Sequence, residues 1–333
     1  MSAPDAAGAD VGRRLRAPSR WRAWELAVWA AIWAVPIFLP AHAALVNEIA
    51  ILALFALSLD LILGYAGIVS LGHAAFFGAG AYGAALFAKH VLPDPLLGLA
   101  VGTALAAGLG ALTSPMIVRG SDLTRLMVTM GVALVLFELA NKFDALTGGT
   151  DGLQGLVMGP LVLPGIGRFE FDLGARVASF YSLALLFAAF LGLRRLVHSP
   201  FGISLQALRD NRLRLSAIGL SVNGRLAAVY TLGAALAGTA GALMAQTTGF
   251  VSLDVLEFHR SADVLLALVI GGAGWLWGGI LGAIAFKVLH DLLSAFTPQY
   301  WTFWIGLFLV LLMRVGRERL FRPWTWWRRG PHG

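Results

Sequence analysis

Long apolar runs make up most of this chain, and short polar or glycine-rich connections separate them. Most runs reach the roughly 20 residues that a helix needs to cross the hydrocarbon core of a membrane. The pattern predicts an all-α, polytopic membrane helix bundle of about ten transmembrane helices, or of eight plus a re-entrant hairpin formed by two shorter runs. The long runs lie at roughly 22–40, 44–63, 72–89, 96–118, 123–142, 177–197, 226–248 and 278–297, and the shorter ones at 261–274 and 301–315.

Charge is sparse and unevenly placed along the chain. Only 13% of the 333 residues are charged and 58% are hydrophobic, whereas soluble domains carry about 25% charged residues. Lys and Arg concentrate before the first span, at 119–125, at 194–225 and after residue 314, which is the bias of cytoplasmic loops. Both termini are therefore predicted to be cytoplasmic. The net charge of +7 is interpreted as this bias and not as a nucleic-acid-binding surface.

These patterns divide the chain into three parts. Residues 1–21 are predicted to form a cytoplasmic tail, 22–315 the transmembrane domain, and 316–333 a basic and aromatic cytoplasmic tail suited to lipid headgroups. Within the domain, 143–176 are predicted to form an ordered external loop. Residues 198–225 are predicted to form a cytoplasmic segment with one short amphipathic helix.

No catalytic or metal-binding pattern accompanies the spans. The sequence contains no phosphate-binding Gly-x-x-x-x-Gly-Lys-Ser/Thr loop, no nucleophile elbow and no His-Glu-x-x-His motif. It has no cysteine, which excludes disulfides and thiolate metal ligands. We therefore expect a protein that is not an enzyme, with no catalytic residue, no metal site and no cofactor of its own.

The stretch Gly64–Tyr82 interrupts the apolar pattern with glycines, a serine and a histidine. Backbone that bends at membrane depth has to be buried in protein or line a polar cavity. The stretch therefore predicts a turn that lines a translocation path, close packing of helices through small residues, or both. The candidate path residues are Gly64, Tyr65, Gly67, Ser70, Gly72 and His73, together with Asp60 and Glu138.

Three further features of the spans carry hypotheses. Asp60 ends the second run and His73 opens the third, so they form either a hydrogen-bonded pair or separate bonds to water or backbone. Lys287 and Asp291 are spaced i, i+4 and share one helix face. They are interpreted either as a self-neutralising pair at an interface or as a contact to cargo or an ion. Glycines at 271–279, flanking two tryptophans, predict a tight turn at the cytoplasmic interface.

Four signatures of the chain together resemble one transporter family. They are Gly64–Tyr82, Leu-Thr-Gly-Gly-Thr-Asp-Gly-Leu at 146–153, Ala-Leu-Arg-Asp-Asn at 207–211 leading to Ala-Ile-Gly-Leu at 217–220, and Gly-Gly-Ala-Gly at 271–274. In this order they resemble the permease subunit of the ABC importers for branched-chain amino acids, the leucine/isoleucine/valine type. The resemblance runs from about Ile51 to Val315.

The resemblance implies partners, a location and a cargo. The chain would pair with a second, homologous permease in the bacterial cytoplasmic (inner) membrane. Two cytoplasmic ATP-binding subunits would use the ATP, and an external, periplasmic solute-binding protein would deliver the cargo. That cargo would be a branched-chain amino acid or a related small solute, since members of the family also carry urea, short amides and aromatic acids.

The resemblance also implies roles for individual residues. The segment 198–225 would couple the chain to an ATPase, and Gly219 would end its helix. The family usually has Glu where this chain has Arg212 and a second acidic residue where it has Ser216, so the ATPase contact is expected to use different charges. Asp60 stands where the family more often has Asn. The implied coupling residues are Arg209, Asp210, Asn211, Arg212 and Gly219, and the implied external-loop residues are Gly148, Gly149, Thr150, Asp151 and Gly152.

The competing interpretation is a secondary transporter or channel that acts alone on a small polar solute. It predicts ion sites within the spans and gives no reason for a basic docking segment on the cytoplasmic side. A membrane enzyme is disfavoured because the sequence lacks a catalytic cluster. The sequence therefore favours an ATP-driven importer permease.

Overall fold

Where the structure describes them, the predicted apolar runs are mainly helical in the computed structural model of the chain. The structure describes residues 22–118, 120, 122–163, 167–170, 175–217, 219–296, 300, 303–308 and 310. The two predicted cytoplasmic tails lie outside these residues.

The helices follow one another with short connections. They are α1 (Ala23–Phe38), α2 (Ala43–Asp60), α3 (Ala74–His90), α4 (Pro95–Val118), α5 (Asp122–Lys142), α6 (Asp144–Thr147), α7 (Arg176–Val197), α8 (Pro200–Asp210), α9 (Arg212–Ala217), α10 (Val222–Thr248), α11 (Phe258–Gly271) and α12 (Leu276–Phe296). A π-helical turn, Leu61–Tyr65, extends α2, and short 3₁₀ turns lie at Pro40–His42, Gly149–Asp151 and Leu253–Leu256.

Six of the described helices are long and apolar enough to cross a membrane. They are Pro40–Tyr65, which contains α2, and α4, α5, α7, α10 and α12. Three more predicted runs contain shorter helices, α1, α3 and α11, and residues 303–308 of the last run are helical. The chain is thus a multi-pass membrane protein. The count of ten spans and the side of each terminus stay predictions.

The core is built around α2 and a tightly packed group of α3, α4 and α10. In the span that contains α2, 78% of the most apolar stretch is buried, against 17% in α5. Glycines allow the other three helices to approach closely: a Cβ on Gly80 would overlap the backbone of Gly238, and one on Gly241 would overlap the carbonyl of Phe77. Small residues at such crossings are the usual means of close packing in membrane bundles.

The predicted external loop is ordered where it is described, and it departs from the all-α prediction. Two short strands, β1 (Leu161–Leu163) and β2 (Gly167–Phe169), pair antiparallel, with Val162 opposite Arg168. Outside a helix, the donors and acceptors of the backbone need other partners, and the two strands supply them to each other. The loop is also tied to the bundle, because Leu153 and Val251 exchange backbone hydrogen bonds of 2.7 and 3.2 Å.

The segment 198–225 forms two helices, α8 and α9, where the sequence predicted one. The backbone of Asn211 is extended between them, which fits the tendency of Asn to leave a helix at its end. Ser199 begins α8, and its hydroxyl accepts a hydrogen bond from the amide of Gly202. On α8, Leu205 and Leu208 are fully buried, as the apolar face of an amphipathic helix would be.

Candidate functional site: the helix break at residues 61–73

The predicted interruption between the second and third runs is present. The α-helical pattern of α2 stops at Asp60, the backbone makes the π turn, and no regular helix resumes until Ala74. Gly67 has φ of +69°, a conformation that glycine adopts without steric cost. We call residues 61–73 the helix break. Nearly all of its residues are buried or half-buried, as irregular backbone at membrane depth has to be.

Side chains from other helices supply hydrogen bonds that the irregular backbone lacks. On α5, the hydroxyl of Thr129 accepts from the amide of Leu71 at 3.3 Å. On α11, the hydroxyl of Ser261 accepts from the amide of Ala74 at 2.8 Å. Thr129 and Ser261 are each 1% exposed, so these bonds form away from water, where an unpaired amide costs about 1–3 kcal/mol.

Glycines in and near the break allow the neighbouring elements to touch its backbone. A Cβ on Gly72 would overlap the carbonyl of Thr129 on α5, and a Cβ on Gly64 would overlap Gly274 in the turn before α12. The side chain of Arg209 lies against Gly67. The glycines therefore form a turn and also allow close packing, so both structural interpretations apply. That the turn lines a translocation path stays a prediction.

The hypothesis of a hydrogen-bonded pair between Asp60 and His73 was wrong, because each side chain binds a different partner. The carboxylate of Asp60 accepts a 2.6 Å hydrogen bond from the amide of Gly274, which is the backbone alternative. The Nε2 of His73 lies 2.8 Å from the hydroxyl of Ser58, and its ring stacks on Phe55 with centroids 5.4 Å apart. Residues 58 and 73 meet because the break folds α3 back along α2.

Arg209 joins the helix break to the predicted coupling segment. It lies near the end of α8, and its guanidinium donates a 2.5 Å hydrogen bond to the carbonyl of Gly64. The same guanidinium lies close to Gly274, whose amide is bound by Asp60. One cluster therefore connects the end of α2, the end of α8 and the turn before α12. We call Asp60, Gly64, Arg209 and Gly274 the junction.

The other predicted coupling residues lie around this contact. Asp210 and Asn211 are exposed, and the guanidinium of Arg212 lies 3.6 Å from the carboxylate of Asp122 on α5. Gly219 has φ of +80°, so the left-handed conformation predicted for a helix end is present. Among the residues that the structure describes, none outside its immediate neighbours has an atom within 4 Å of a Cβ built on Gly219, so these residues restrict its conformation without crowding it.

The remaining predicted residues are distributed over two regions. Tyr65 and Ser70 are buried within the break, whereas Glu138 is exposed on α5. In the predicted external loop, Gly148, Gly149 and Gly152 have positive φ. Thr150 and Asp151 of the same loop are exposed. The structure thus groups the break and the coupling segment, and leaves Glu138 and the loop outside that group.

The turn at 271–279 is also present, with φ of +100° at Gly272 and +82° at Gly274. The two tryptophans of this turn differ in exposure, and their interfacial position stays a prediction; Trp277 is packed inside the bundle. It is 2% exposed, and its indole N–H donates to Glu25 at 3.3 Å. Trp275 is 45% exposed.

Sequence reasoning missed two groups of charged residues. Glu25 on α1 and Arg194 on α7 form a buried ion pair of 2.7 Å, although both stand in apolar runs and were detectable there. The predicted pair of Lys287 and Asp291 is confirmed at 3.4 Å, but Lys287 lies closer, at 2.6 Å, to Glu48 on α2. A carboxylate inside the second apolar run was the signal for Glu48.

Residues 42–313 match the family described as "Branched-chain amino acid transport system / permease component". The chain is similar to the high-affinity branched-chain amino acid transport system permease protein LivM of Escherichia coli (strain K12), with 29% identity over 286 residues, 81% of this chain and 67% of that protein. LivM of Salmonella typhimurium (strain LT2) is 30% identical with the same coverage. The autoinducer 2 import system permease protein LsrC of Enterobacter sp. (strain 638) is 29% identical over 58% of this chain and 64% of that protein. No solved structure matches the chain.

Asp60→Leu is expected to destabilise the protein, and Asp60→Asn to be tolerated better. The asparagine carbonyl can still accept from the amide of Gly274, whereas leucine leaves that amide unpaired at a cost of about 1–3 kcal/mol. Thermal unfolding of the two purified variants in detergent measures the difference, with asparagine as the control for loss of charge. Equal stability of the two variants would contradict the assigned role of this bond.

Proposed function

The chain belongs to the family of permease components of branched-chain amino acid transport systems and is a membrane permease of an ABC importer; we propose that it forms the translocation path together with a second, homologous permease. The location we propose is the bacterial cytoplasmic membrane. Two cytoplasmic ATP-binding subunits would drive the cycle, and an external solute-binding protein would deliver the cargo. The chain itself would bind no nucleotide, because ATP would be used by the partner subunits.

The contact between α8 and the helix break supports a coupling role for 198–225. Arg209 bridges the exposed end of α8 to the carbonyl of Gly64, and the junction continues through Asp60 to the turn before α12. A displacement of α8 by an ATPase would therefore act directly on the ends of two membrane helices. This is the observation on which the proposed mechanism depends.

The proposed cargo is a branched-chain amino acid or a related small solute. The names of the relatives support a small organic cargo, since two of them are named for branched-chain amino acid transport and one for autoinducer 2 import. The cargo would enter from the external binding protein and leave on the cytoplasmic side, where the coupling segment is predicted to lie.

Transport by the permease pair should require the ATP-binding subunits. We expect liposomes that contain the pair, the ATP-binding subunits and internal ATP to take up radiolabelled L-leucine offered with the binding protein. Liposomes with the pair alone, or with a non-hydrolysable nucleotide, are the controls and should show no uptake. Uptake driven by an ion gradient in the absence of the ATP-binding subunits would contradict the proposed function.

Arg209→Met should uncouple ATP hydrolysis from transport. Methionine keeps an aliphatic stem against Gly67 but cannot donate to the carbonyl of Gly64. We expect the ATP-binding subunits to copurify with the variant, and its cargo-stimulated hydrolysis and uptake to fall several-fold. The control is Arg195→Met, which removes an exposed arginine from the end of α7. Wild-type stimulation in Arg209→Met would show that the junction does not transmit the motion.

Gly219→Val should also impair coupling while leaving the protein inserted. The left-handed conformation at this position costs a residue with a Cβ about 1–2 kcal/mol, and none of the described residues would crowd the valine side chain at its Cβ. Gly219→Asn is the matched control, because asparagine adopts this conformation more readily. We expect cargo-stimulated ATP hydrolysis to be retained in the Gly219→Asn variant and reduced in the Gly219→Val variant. Full stimulation in a well-expressed valine variant would contradict this role.

A further inference from the structure

The first turn of α1 carries a buried carboxylate that binds three parts of the chain. Glu25 is 7% exposed. Its Oε2 accepts from the guanidinium of Arg194 on α7 at 2.7 Å and from the amide of Arg22 at 3.2 Å. Its Oε1 accepts from the indole N–H of Trp277 on α12 at 3.3 Å. The two oxygens of one side chain therefore fix the start of α1, the end of α7 and the start of α12 relative to one another.

Arg194 stands at the corner where α7 runs into α8. It lies in the last turn of α7, and the Nδ1 of His198, just after that helix, lies 2.7 Å from the carbonyl oxygen of Arg194. α8 begins at Pro200, and a Cβ on Gly202 would overlap the carbonyl of Val197. Because the end of α7 and the start of α8 are in direct contact, the bond to Arg194 also fixes the base of α8.

Trp277 fixes the other side of the junction. It lies in the first turn of α12, shortly after Gly274, whose amide is bound by Asp60. The ring of Trp277 packs against Trp24 of α1 and Phe190 of α7, with ring centroids 5.1 Å apart in both contacts. The carboxylate on α1 and these rings therefore hold the turn that supplies Gly274 to the junction.

Two separate links thus connect α8 to the turn before α12. The direct link is the guanidinium of Arg209 at the far end of α8, which binds the carbonyl of Gly64 beside the turn. The second link holds the base of α8 and runs from Arg194 through Glu25 to Trp277. With the base fixed, a displacement of the far end of α8 has to move Arg209 relative to the junction. Without the second link, the whole of α8 can shift away from the turn.

Stabilisation alone does not account for a carboxylate at this position. Burying a carboxylate and a guanidinium removes both from water, and such a pair is often no more stabilising than apolar side chains of similar volume. The carboxylate does give direction, because its two oxygens bind donors on different helices, one of them through a charge-assisted bond. α1 also precedes residues 42–313, which match the family, so these bonds attach an element outside the family match to the junction.

We propose that Glu25 is a positioning residue for the coupling of ATP hydrolysis to transport, an inference that rests on the proposed importer function and deepens it. Glu25 holds the base of α8 and the turn before α12 at a fixed separation. A displacement of the far end of α8 by an ATP-binding subunit then acts on the contacts of Arg209 at the junction, instead of moving α8 and the turn apart. Glu25 acts through Arg194 and Trp277.

Trp277→Phe tests the second link with little change in packing. Phenylalanine keeps an aromatic ring against α1 and α7 but cannot donate to Glu25, which stays paired with Arg194. The assay is ATP hydrolysis by the complete transporter in liposomes, with and without the binding protein and L-leucine. We expect the ATP-binding subunits to copurify with the variant, and the ratio of stimulated to basal hydrolysis to fall at least threefold. Leucine uptake should fall with it.

Two control variants separate positioning from general destabilisation. Trp29→Phe alters a neighbouring ring, 5.8 Å from Trp277 between centroids, whose indole nitrogen has no hydrogen-bond partner among the described residues. Ser182→Ala removes one buried hydrogen bond of 2.6 Å, to Asn47, from another part of α7. Both controls should keep the wild-type ratio, even where Ser182→Ala lowers the thermal unfolding temperature. A fall of the ratio in Ser182→Ala equal to that in Trp277→Phe would overturn the assignment.

Glu25→Gln tests the same link from the other end. Glutamine keeps an acceptor for the indole of Trp277 but removes the charge that binds Arg194, so the ratio should fall here too. A wild-type ratio in an assembled Glu25→Gln variant would overturn the assignment. If Glu25→Gln does not fold, Trp277→Phe decides, and a wild-type ratio in that variant overturns the assignment in the same way.

Failure of this inference is distinguishable from failure of the proposed function. If leucine stimulates hydrolysis and uptake equally in the wild type and in Trp277→Phe, the importer function stands and the role of Glu25 is wrong. If the wild-type assembly shows neither stimulated hydrolysis nor ATP-driven uptake of any small solute delivered by its binding protein, the importer function is wrong, and this inference is wrong with it.

Discussion

The hydrogen bonding of the helix break is the constraint on which the arrangement of the bundle depends. Between residues 61 and 73 the backbone leaves the α-helical pattern in a buried part of the bundle, where an unpaired donor or acceptor is costly. Thr129 from α5, Ser261 from α11 and Arg209 from α8 each bind one of the backbone groups at this break or at its boundary with α3. Because the three side chains come from different elements, meeting the requirement fixes those elements around the end of α2.

Two helices, α2 and α12, run from the junction to the ion pair between Glu48 and Lys287. Glu48 and Asp60 lie on the same helix, twelve residues apart, which corresponds to about 18 Å at 1.5 Å per residue. The turn before α12 is held by Asp60, and Lys287 follows on that helix. Under the proposed coupling, a change in the position of α8 would reach the contact between Glu48 and Lys287 through these two helices.

The sequence predicted the helical runs, the helix break and the left-handed Gly219, because each depends on local chemistry: apolar length, glycine content and helix termination. It did not give the partners of Asp60 and His73, since proximity in sequence suggested a pair while long-range packing supplied Gly274 and Ser58. Glu48 was missed for the same reason. Its significance comes from Lys287 on a distant helix, and one sequence does not show which helices touch.

The change from the family's usual Glu to Arg212 is accommodated within the chain. Arg212 lies 3.6 Å from Asp122, so its positive charge has an acidic neighbour on α5. Arg225 of α10 donates to the hydroxyl of Ser204 on α8, and Arg209 binds the break. The two helices of the coupling segment are thus attached to three parts of the membrane domain by arginines. These contacts hold α8 and α9 against the membrane domain, while Asp210 stays exposed on the end of α8 with Arg209 3.7 Å away.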